Sequence, residues 1–449
     1  MTDLHRPAHP VRFVTAASLF DGHDAAINIM RRLLQAQGAE VVHLGHNRSV
    51  DEVVTAAVQE DVQGVAVSSY QGGHVEYFQY LVDRLRAEGR PEIRVYGGGG
   101  GTITAAEIEA LHRYGVTRIF SPHDGQEMGL ARMVNTLVAE CDFELPGLTD
   151  AELEALLAGD TRALARAMTT AENDRLSDTQ RSALASAAGG RRVPVLGLTG
   201  TGGSGKSSLT DELVQRFRLD QEDKLRIAVL AIDPTRRKAG GALLGDRIRM
   251  NSIGTGSRIF FRSFATRGAG GEMPAALDDA ITACRAAGFD LVVVETPGIG
   301  QGDSAVVSHV DLPVYVMTPE YGSPSQLEKI DMLDFAAAVA INKFERRGGE
   351  DALRDVRRTL ARNPDFAGTA LDELPVFGTV ASRFADDGVT ALYQFLRERL
   401  GFGPGVLQPV SGRVSTRGHA IVPAERTRYL ADVAERVRAY HRTTQEEAE

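Results

Sequence analysis

The residues best suited to chemistry lie in a glycine-rich run that ends in lysine and serine. The run, Gly200-Thr-Gly-Gly-Ser-Gly-Lys206-Ser207, follows an apolar stretch typical of a buried strand and precedes a helical pattern. In that context G-x-x-x-x-G-K-S is typical of a phosphate-binding loop, because its backbone N–H groups and the helix N-terminus attract phosphate. Lys206 would reach the β- and γ-phosphates, and the Ser207 hydroxyl would bind Mg²⁺. The run predicts a nucleoside triphosphate site, whose other loop residues are Gly203, Ser204, Gly205 and Ser208.

Two acidic residues at the ends of apolar strands are the predicted partners of that loop. Asp233 ends one such strand and precedes a glycine-rich segment, 239–247, which we interpret as a mobile switch loop. Glu295 ends another, and Gly298 follows it. A carboxylate at a strand end is suited to bind Mg²⁺ directly or through water, and the Gly298 amide is suited to sense the γ-phosphate. The predicted catalytic residues are Lys206, Asp233 and Glu295.

The motif Asn342-Lys343-Phe344-Glu345 predicts the base that is bound. GTPases carry N-K-x-D at such a strand end, and the acid accepts two guanine N–H groups that adenine does not offer in that arrangement. Glu345 replaces that aspartate, which keeps the carboxylate and lengthens its reach. We expect the Lys343 stem to pack along the base and Asn342 to tie the base loop to the phosphate loop. The motif favours GTP over ATP.

A histidine near the N-terminus is the second candidate site. His23 lies two residues after Asp21, in the loop that follows the first predicted strand. A carboxylate that accepts one ring N–H leaves the other nitrogen basic and free to bind a metal. Ser68 and the five glycines at 97–101 end two further strands, and their small size leaves space along the same sheet edge. We predict a groove with an imidazole at its mouth.

The elements that position these residues alternate between strand-like and helix-like patterns. Such alternation predicts an α/β fold, and ligands in such sheets lie beyond the carboxyl ends of the strands. We predict a flavodoxin-like doubly wound domain over residues 1–145, a helical linker over 146–190, a P-loop α/β domain over 191–410 and a helical tail over 411–449. The predicted strands cover 11–17, 40–44, 64–68, 93–96 and 118–120 in the first domain, and 193–199, 227–232, 259–261, 290–295, 312–318, 336–341 and 376–379 in the second. The tail helix is predicted over 424–440.

Composition excludes several classes of protein. The chain of 449 residues carries a formal charge of −10, whereas a nucleic-acid-binding surface usually needs a basic excess. Its two cysteines cannot build a disulfide framework or a cysteine-only metal site. No apolar stretch is long enough to span a bilayer, and the N-terminus lacks a signal-peptide pattern. We expect no nucleic-acid or membrane partner and a cytoplasmic location.

Taken in order, the motifs of the second domain resemble those of the G-protein chaperones associated with methylmalonyl-CoA mutase. In that family the phosphate loop, a D-P-[ST] loop, an E-T-x-G-x-G-Q switch and an N-K motif follow one another, as they do here over about residues 191–400. The resemblance implies a GTPase that dimerises through this domain and signals to a client enzyme. It also implies that Arg249 approaches the phosphates. The implied Mg²⁺ residues are Ser207, Asp233, Asp246, Glu295 and Thr296.

The first domain resembles the cobalamin-binding domain of adenosylcobalamin-dependent acyl-CoA mutases, whose signature is D-x-H-x-x-G, then S-x-L, then G-G. Asp21 and His23 match, whereas Ala26 replaces the glycine and Tyr70 the leucine. The resemblance implies that His23 is the lower axial cobalt ligand, with Asp21 behind it. The displaced dimethylbenzimidazole would lie in the groove near Ser68, Gly97 and Gly98. The register within the five glycines stays open.

The order of the two domains in residues 10–440 resembles that of the N-terminal portion of fused isobutyryl-CoA mutases. In that family an acyl-CoA-binding barrel follows, and we expect it to be missing here or to sit on another polypeptide. The layout implies a cobalamin-carrying, GTP-hydrolysing component of an acyl-CoA mutase, with the mutase large subunit as partner. Two alternatives remain: a cobalamin sensor or carrier timed by GTP, and a P-loop metallochaperone that binds metal through His23 and His74.

Overall fold

The computed structural model describes residues 4–236, 239–254, 258–267, 273–298, 303–416 and 429–448. Most of these residues belong to two parallel sheets with helices packed on both faces. Of the predicted tail, residues 417–428 lie outside the described residues, and the helix that follows runs over Tyr429–Ala448. No described helix combines the length and apolar character that crossing a membrane requires.

The first sheet contains the five strands predicted for the N-terminal domain, and they are all parallel. Their order is β5-β4-β3-β1-β2, so the chain reverses its direction of winding between β1 and β3. This is the flavodoxin-like order, and ligands of such sheets bind at the point of reversal. The strands are β1 (Arg12–Ser18), β2 (Glu40–Arg48), β3 (Gly64–Ser68), β4 (Arg94–Gly98) and β5 (Arg118–Phe120).

Five helices cover the two faces of this sheet. Capping boxes begin three of them, at Ser49, Thr104 and Ser121, where each side chain accepts an otherwise unpaired backbone N–H. The helices are α1 (Ala25–Ala36), α2 (Val50–Gln59), α3 (His74–Ala87), α4 (Ala105–Tyr114) and α5 (Pro122–Cys141). The strands are buried along almost their whole length, as expected for a parallel sheet with two covered faces.

Three helices connect the domains: α6 (Asp150–Leu157), α7 (Thr161–Glu172) and α8 (Asp178–Gly189). Their apolar faces bury Leu156, Leu164 and Leu184 in the same core as Ile281 of the second domain. They therefore form part of a packed layer on the second sheet.

The second sheet is also parallel, in the order β13-β12-β11-β6-β10-β7-β9. The strands of this part of the chain are β6 (Val195–Gly200), β7 (Ile227–Asp233), β8 (Ala242–Leu244), β9 (Ile259–Ala265), β10 (Leu291–Glu295), β11 (Leu312–Met317), β12 (Ala338–Asn342) and β13 (Val376–Thr379). The helices are α9 (Lys206–Asp220), α10 (Leu277–Ala286), α11 (Pro324–Leu327), α12 (Gly349–Leu360), α13 (Asp387–Arg399) and α14 (Tyr429–Ala448).

Strand β8 departs from the sequence-based expectation. It lies in the glycine-rich segment that we predicted to be a loop, and it pairs in parallel with β2 of the first sheet. The first sheet therefore has a sixth strand, which comes from the second half of the chain. The pattern of residues 239–247 did not predict it, because three apolar residues between glycines are too short to indicate a strand alone.

Buried ion pairs fix the two domains against the connecting helices. Arg12 on β1 lies 2.7 Å from Glu40 and 2.8 Å from Glu172 of α7. Arg262 of β9 pairs with Glu172, and Arg267 lies 2.6 Å from Glu40. Burial alone would raise the pKa of Glu40, but the charges of Arg267 and Arg12 hold this pKa well below its ordinary value. The carboxylates are therefore ionised and paired.

Candidate functional site

The phosphate loop joins β6 to α9, and two of its glycines adopt left-handed backbone angles. Gly203 and Gly205 have φ values of 74° and 88°, which residues with a Cβ rarely adopt. Lys206 is buried at the start of α9, and its ammonium donates to the carbonyls of Gly200 (2.9 Å) and Thr201 (3.2 Å). The two remaining predicted loop residues are Ser204, which is buried, and Ser208, which is exposed.

Two of the predicted acids meet at the serine of this loop. Ser207 Oγ lies 2.7 Å from Glu295 Oε1 and 3.0 Å from Asp246 Oδ1. Arg249 Nη1 donates to the same Asp246 oxygen (2.9 Å) and lies 3.3 Å from Ser207 Oγ. The hydroxyl and two carboxylates that we assigned to Mg²⁺ are therefore adjacent, with a cation beside them where phosphates would approach.

Asp233 completes the acidic cluster from the end of β7. Its Oδ2 accepts the Gly245 N–H at 3.1 Å. Burial, and then the charges of Asp246 and Glu295, raise the pKa of Asp233 well above its ordinary value. Burial, and then Asp246, also raise the pKa of Glu295 to about 7. Carboxylates that destabilise one another in this way form a site that a divalent cation would stabilise.

Among the described residues, no group of three or more His, Cys, Asp or Glu side chains is arranged to hold a metal ion. In nucleotide sites, phosphate oxygens and waters fill most of the Mg²⁺ coordination shell, so the Ser207 hydroxyl and the adjacent carboxylates would supply only part of it.

Two further predicted residues lie at the end of β10. The Thr296 hydroxyl bonds to Thr199 Oγ1 at 2.9 Å, so the structure directs it to β6 and not into the acidic cluster. Gly298 lies over the phosphate loop, since a Cβ there would be 2.4 Å from Lys206 Nζ. Its position suits the predicted contact with a terminal phosphate.

The predicted base motif follows β12 and contacts the phosphate loop. Asn342 Nδ2 donates to the Ser204 carbonyl (2.8 Å), and Lys343 Nζ donates to the Gly203 carbonyl (2.7 Å). Asn342 therefore ties the two loops together, as its position in the motif led us to expect. Glu345 is exposed at the end of the motif.

Sequence reasoning missed two residues of this site. Thr210 is fully buried, and its hydroxyl lies 2.9 Å from Glu295 Oε2. Thr210 lies three residues after Ser207, so both side chains project from the same side of α9. This spacing could have indicated Thr210 from the sequence. Ala381 follows β13, and its N–H donates to Asn342 Oδ1 at 3.1 Å. No spacing rule pointed to Ala381.

In the first domain, Asp21 organises the loop after β1. Its Oδ1 accepts the backbone N–H of His23 (2.8 Å) and lies 2.9 Å from His23 Nδ1, while Oδ2 accepts the Tyr70 N–H (2.7 Å). The Asp21 side chain is fully buried, whereas that of His23 is 76 % exposed. This is the predicted arrangement, because it leaves Nε2 facing outward as a basic nitrogen.

A cavity of about 420 Å³ opens at the carboxyl ends of β3 and β4. The Ser68 hydroxyl is buried beside it and has no hydrogen-bond partner among the described residues. A lone hydroxyl in an apolar cavity is suited to a ligand with an apolar body and one polar atom, and dimethylbenzimidazole has that chemistry. The walls between α1 and α5 are mostly apolar and include Ile27, Met30, Phe120, Leu130, Met133 and Leu137.

The two predicted glycines of β4, Gly97 and Gly98, have different surroundings in the structure. A Cβ at Gly97 would lie 2.4 Å from Phe78 and 2.6 Å from Ile119, so this glycine makes room for the core. A Cβ at Gly98 would meet only the Phe120 carbonyl, at 3.5 Å. Both line the cavity, but the small size of Gly98 is the one that keeps it open.

His74, the second histidine of the metallochaperone alternative, is buried at the start of α3. Its Nδ1 lies 3.0 Å from the Gln71 carbonyl and its Nε2 lies 3.3 Å from Glu107. Nδ1 is therefore engaged within the first domain, whereas Nε2 has no hydrogen-bond partner among the described residues and faces the Glu107 carboxylate. This placement does not favour a metal site shared with His23.

A flavodoxin-like sheet with an outward imidazole and a P-loop sheet with an acidic cluster define a two-domain protein that binds a metal-containing cofactor and a nucleotide. Comparison with protein families finds a match in each of the two parts of the chain. The model for methylmalonyl-CoA mutase-associated GTPases matches residues 164–398, and the model for B12 binding domains matches residues 11–129. The chain belongs to the family of methylmalonyl-CoA mutase-associated GTPases and carries a B12 binding domain ahead of the GTPase. Its cofactors are accordingly a cobalamin, GTP and Mg²⁺.

Several curated proteins are similar to the chain. A fused isobutyryl-CoA mutase of Nocardia farcinica is 64% identical over an alignment of 449 positions, which covers 99% of this chain and 42% of that protein. Another, of Cupriavidus metallidurans, is 62% identical over 97% of this chain and 40% of its own length. A putative GTPase of Pyrococcus abyssi is 34% identical over 57% of this chain and 77% of its own length. The chain thus spans about two fifths of the length of the fused mutases that it matches.

Proposed function

We propose that this chain uses GTP to control the loading or protection of adenosylcobalamin for an acyl-CoA mutase of the isobutyryl-CoA or methylmalonyl-CoA type. The observation that carries the proposal is the connection between the two sites. Strand β8 completes the cobalamin-domain sheet, and Asp246, two residues later, lies against Ser207 of the phosphate loop. A change at the terminal phosphate therefore has a short covalent route to the domain that would hold the corrin.

In this proposal His23 would bind the cobalt of the cofactor, and buried Asp21 would fix the ring and tautomer of His23. When bound, adenosylcobalamin would supply radical chemistry. The residues of the chain bind and orient the cofactor: Ser68 would donate to the displaced base, and Gly98 leaves it space. The burial of Asp21 and Ser68 and the shape of the cavity support these roles.

GTP hydrolysis would use the acidic cluster and Lys206. Ser207, Asp246 and Glu295 lie where they could hold Mg²⁺ directly or through water, with Asp233 beside them. Lys206 and Arg249 would neutralise the charge that develops on the phosphates, which is the main contribution a protein makes to phosphoryl transfer. Asn342, Lys343 and Glu345 would select guanine.

The proposed partner is the substrate-binding part of the mutase, because the similar fused mutases are more than twice as long as this chain. We also propose a homodimer formed through the GTPase domain, as its family resemblance implies. Cytoplasmic action agrees with two buried free cysteines.

The test is transfer of adenosylcobalamin from solution to this chain in complex with the mutase large subunit, followed by absorbance. We expect transfer to differ at least several-fold between GTP and a non-hydrolysable GTP analogue. Lys206→Ala should abolish this difference, because it removes a contact worth several kcal/mol to the transition state. Transfer at one rate with GTP, analogue or no nucleotide would contradict the proposal.

The cobalt role has a separate measurement. Wild-type protein should shift the absorbance of adenosylcobalamin to that of a form with the base displaced and histidine bound. His23→Ala should remove the histidine-bound spectrum, whereas His9→Ala, a surface histidine paired with Asp142, should leave it unchanged. An unaltered spectrum with His23→Ala would rule out this ligand.

A further inference from the structure

Segment 241–249 belongs structurally to both domains. In β8, Ala242 lies opposite Glu40 of β2 and Leu244 lies opposite Val42. Ala242 and Leu244 are fully buried in the core of the first domain. The residues that follow them directly enter the nucleotide site. A wall of the GTPase is therefore an extension of a strand in the neighbouring sheet.

At the start of this segment, the backbone of Gly241 packs so closely against the first domain that no side chain would fit there. A Cβ at Gly241 would lie 2.1 Å from the Gln35 carbonyl oxygen and 2.7 Å from that of Ala39. The N–H of Ala242 donates to the same Ala39 carbonyl at 3.2 Å. Any larger residue at Gly241 would push β8 away from β2.

The far end of the segment is held by Arg247. This side chain is buried, and its guanidinium donates to Gln59 Oε1 (2.7 Å) and to the Phe261 carbonyl (3.1 Å). Gln59 is the last residue of α2 in the first domain, and it also donates to the Ile259 carbonyl of β9 at 3.3 Å. Arg247, the residue next to Asp246, is therefore hydrogen-bonded to helix α2 of the cobalamin domain.

Between these two anchors lie the contacts that matter for the metal. The Gly245 N–H bonds to Asp233, and the Asp246 carboxylate lies 3.0 Å from Ser207 Oγ. Strand β8, before these two residues, and Arg247, after them, are each held by residues of the first domain. The position of Asp246 relative to Ser207 thus depends on that domain as well as on the GTPase.

We propose that the cobalamin domain forms part of the GTPase metal site, with Gln59 as a positioning residue that acts through Arg247 on Asp246. The inference rests on nucleotide and Mg²⁺ binding by the second domain, and it does not require that the chain deliver cobalamin. Gln59 contacts neither nucleotide nor metal, so its effect should fall on metal affinity and not on the chemical step.

The experiment is a Gln59→Leu substitution in the full chain, at similar side-chain volume. It removes one acceptor of Arg247 and leaves the Phe261 carbonyl and the Glu60 carboxylate, 3.6 Å away, in place. Mn²⁺ affinity in the presence of GDP, measured by electron paramagnetic resonance of the free ion, should fall about tenfold, as is typical when a residue that orients a metal ligand is lost. The Mg²⁺ concentration for half-maximal GTP hydrolysis should rise by a similar factor, with kcat at saturating Mg²⁺ changed less than about twofold.

Gln63→Leu is the matched control. Gln63 is a buried glutamine of the same domain, but it bonds to Arg12 N–H (2.9 Å) and the Pro10 carbonyl (2.8 Å) within that domain. It should leave Mn²⁺ affinity unchanged. Gln59→Glu keeps an acceptor for Arg247 and should restore affinity to near the wild-type value.

Gly241→Ala provides a second route that leaves the side chains of Gln59 and Arg247 unchanged. It should also weaken Mn²⁺ binding, because the added Cβ displaces β8. Unchanged affinity in folded Gln59→Leu and Gly241→Ala proteins would overturn the inference, as would an equal loss in Gln63→Leu. Failure of the proposed function has a different signature: Mn²⁺ binding with GDP would still respond to Gln59→Leu, while cobalamin transfer would not respond to GTP.

Discussion

Glu345 stands where the GTPase motif has aspartate, and its extra methylene changes the reach of the carboxylate toward the base. The residue is exposed at the end of a motif that Asn342 and Lys343 bind to the phosphate loop. The loop is therefore held independently of Glu345, and a change there should affect base recognition without displacing the phosphates.

We predict that Glu345→Ala lowers the preference for GTP over ATP about 10- to 100-fold, because a site that loses its carboxylate leaves two guanine donors unpaired. The kcat with saturating GTP should change little. Competition kinetics with GTP and ATP would measure the preference, and Glu345→Asp should retain most of it. An unaltered preference in Glu345→Ala would place guanine recognition elsewhere in the loop.

At Gly98 the expected effect is steric. Gly98→Val would add side-chain atoms at the opening of the 420 Å³ cavity, with no backbone clash closer than 3.5 Å at Cβ. We expect cobalamin affinity to fall at least tenfold and thermal stability to change by less than about 1 kcal/mol.

Gly97→Ala is the opposite case and serves as the control. Its Cβ would meet Phe78 and Ile119 in the core, so it should destabilise the protein by about 1–3 kcal/mol through overpacking. Titration with hydroxocobalamin and thermal unfolding separate the two effects. Equal affinity in Gly98→Val and wild-type protein would show that the base does not enter this cavity.

Strand β2 contributes a prediction at the scale of an element, because it carries a buried histidine that bonds to β1. His43 Nδ1 lies 2.9 Å from Thr15 Oγ1. Burial, and then the charge of Arg31, lower the pKa of His43 from 6.5 to about 4. Below its ordinary pKa the unfolded chain therefore binds a proton that the folded chain does not.

Stability should consequently fall as pH decreases from about 6.5 to about 4, by roughly 2 kcal/mol after allowance for partial solvent screening. Above pH 6.5 the residue should have no effect. His43→Gln should reduce this slope, since it cannot gain the proton. Urea unfolding at pH 7.5 and pH 4.5 for both proteins measures the difference, and equal slopes would contradict the assignment.

The strands differ from one another in how far the sequence alone could predict them. The five strands of the first domain and the seven of the second sheet were predicted because each is a continuous apolar run between polar turns. Strand β8 was not, since Ala242, Leu243 and Leu244 pair with β2 some two hundred residues earlier, and no local pattern reports that distant contact.

The residues of the candidate site divide in a similar way. Ser207, Glu295 and Asn342 could be proposed from the sequence because their motifs have fixed spacing. Thr210 and Ala381 were missed because their roles depend on which atoms they meet after folding. The direction of the Thr296 hydroxyl toward Thr199 is likewise a property of the packed strands.

At the scale of the whole molecule, the buried ion pairs among Arg12, Glu40, Glu172, Arg262 and Arg267 connect the first domain, α7 and the second domain. Loss of Glu172 would leave the buried Arg262 without the ion pair that it makes in this network, which is far more costly than the loss of a surface pair.

We predict that Glu172→Gln destabilises the protein by about 3–5 kcal/mol and splits a single calorimetric unfolding transition into two. The domains would then unfold separately, because the charges that join them are no longer balanced. Glu144→Gln, which removes a half-exposed partner of Arg175, should cost less than about 1 kcal/mol. One transition at the wild-type temperature in Glu172→Gln would show that the network does not couple the domains.

The shared strand also bears on how this molecule can be divided. A fragment cut after the first five strands would leave the β2 edge, with its row of backbone donors and acceptors, open to other chains, and such edges promote aggregation. The complementary fragment would expose Ala242 and Leu244, which are fully buried in the intact protein. Tandem genes that separate these domains would therefore have to encode a replacement for this strand, or keep both products permanently associated.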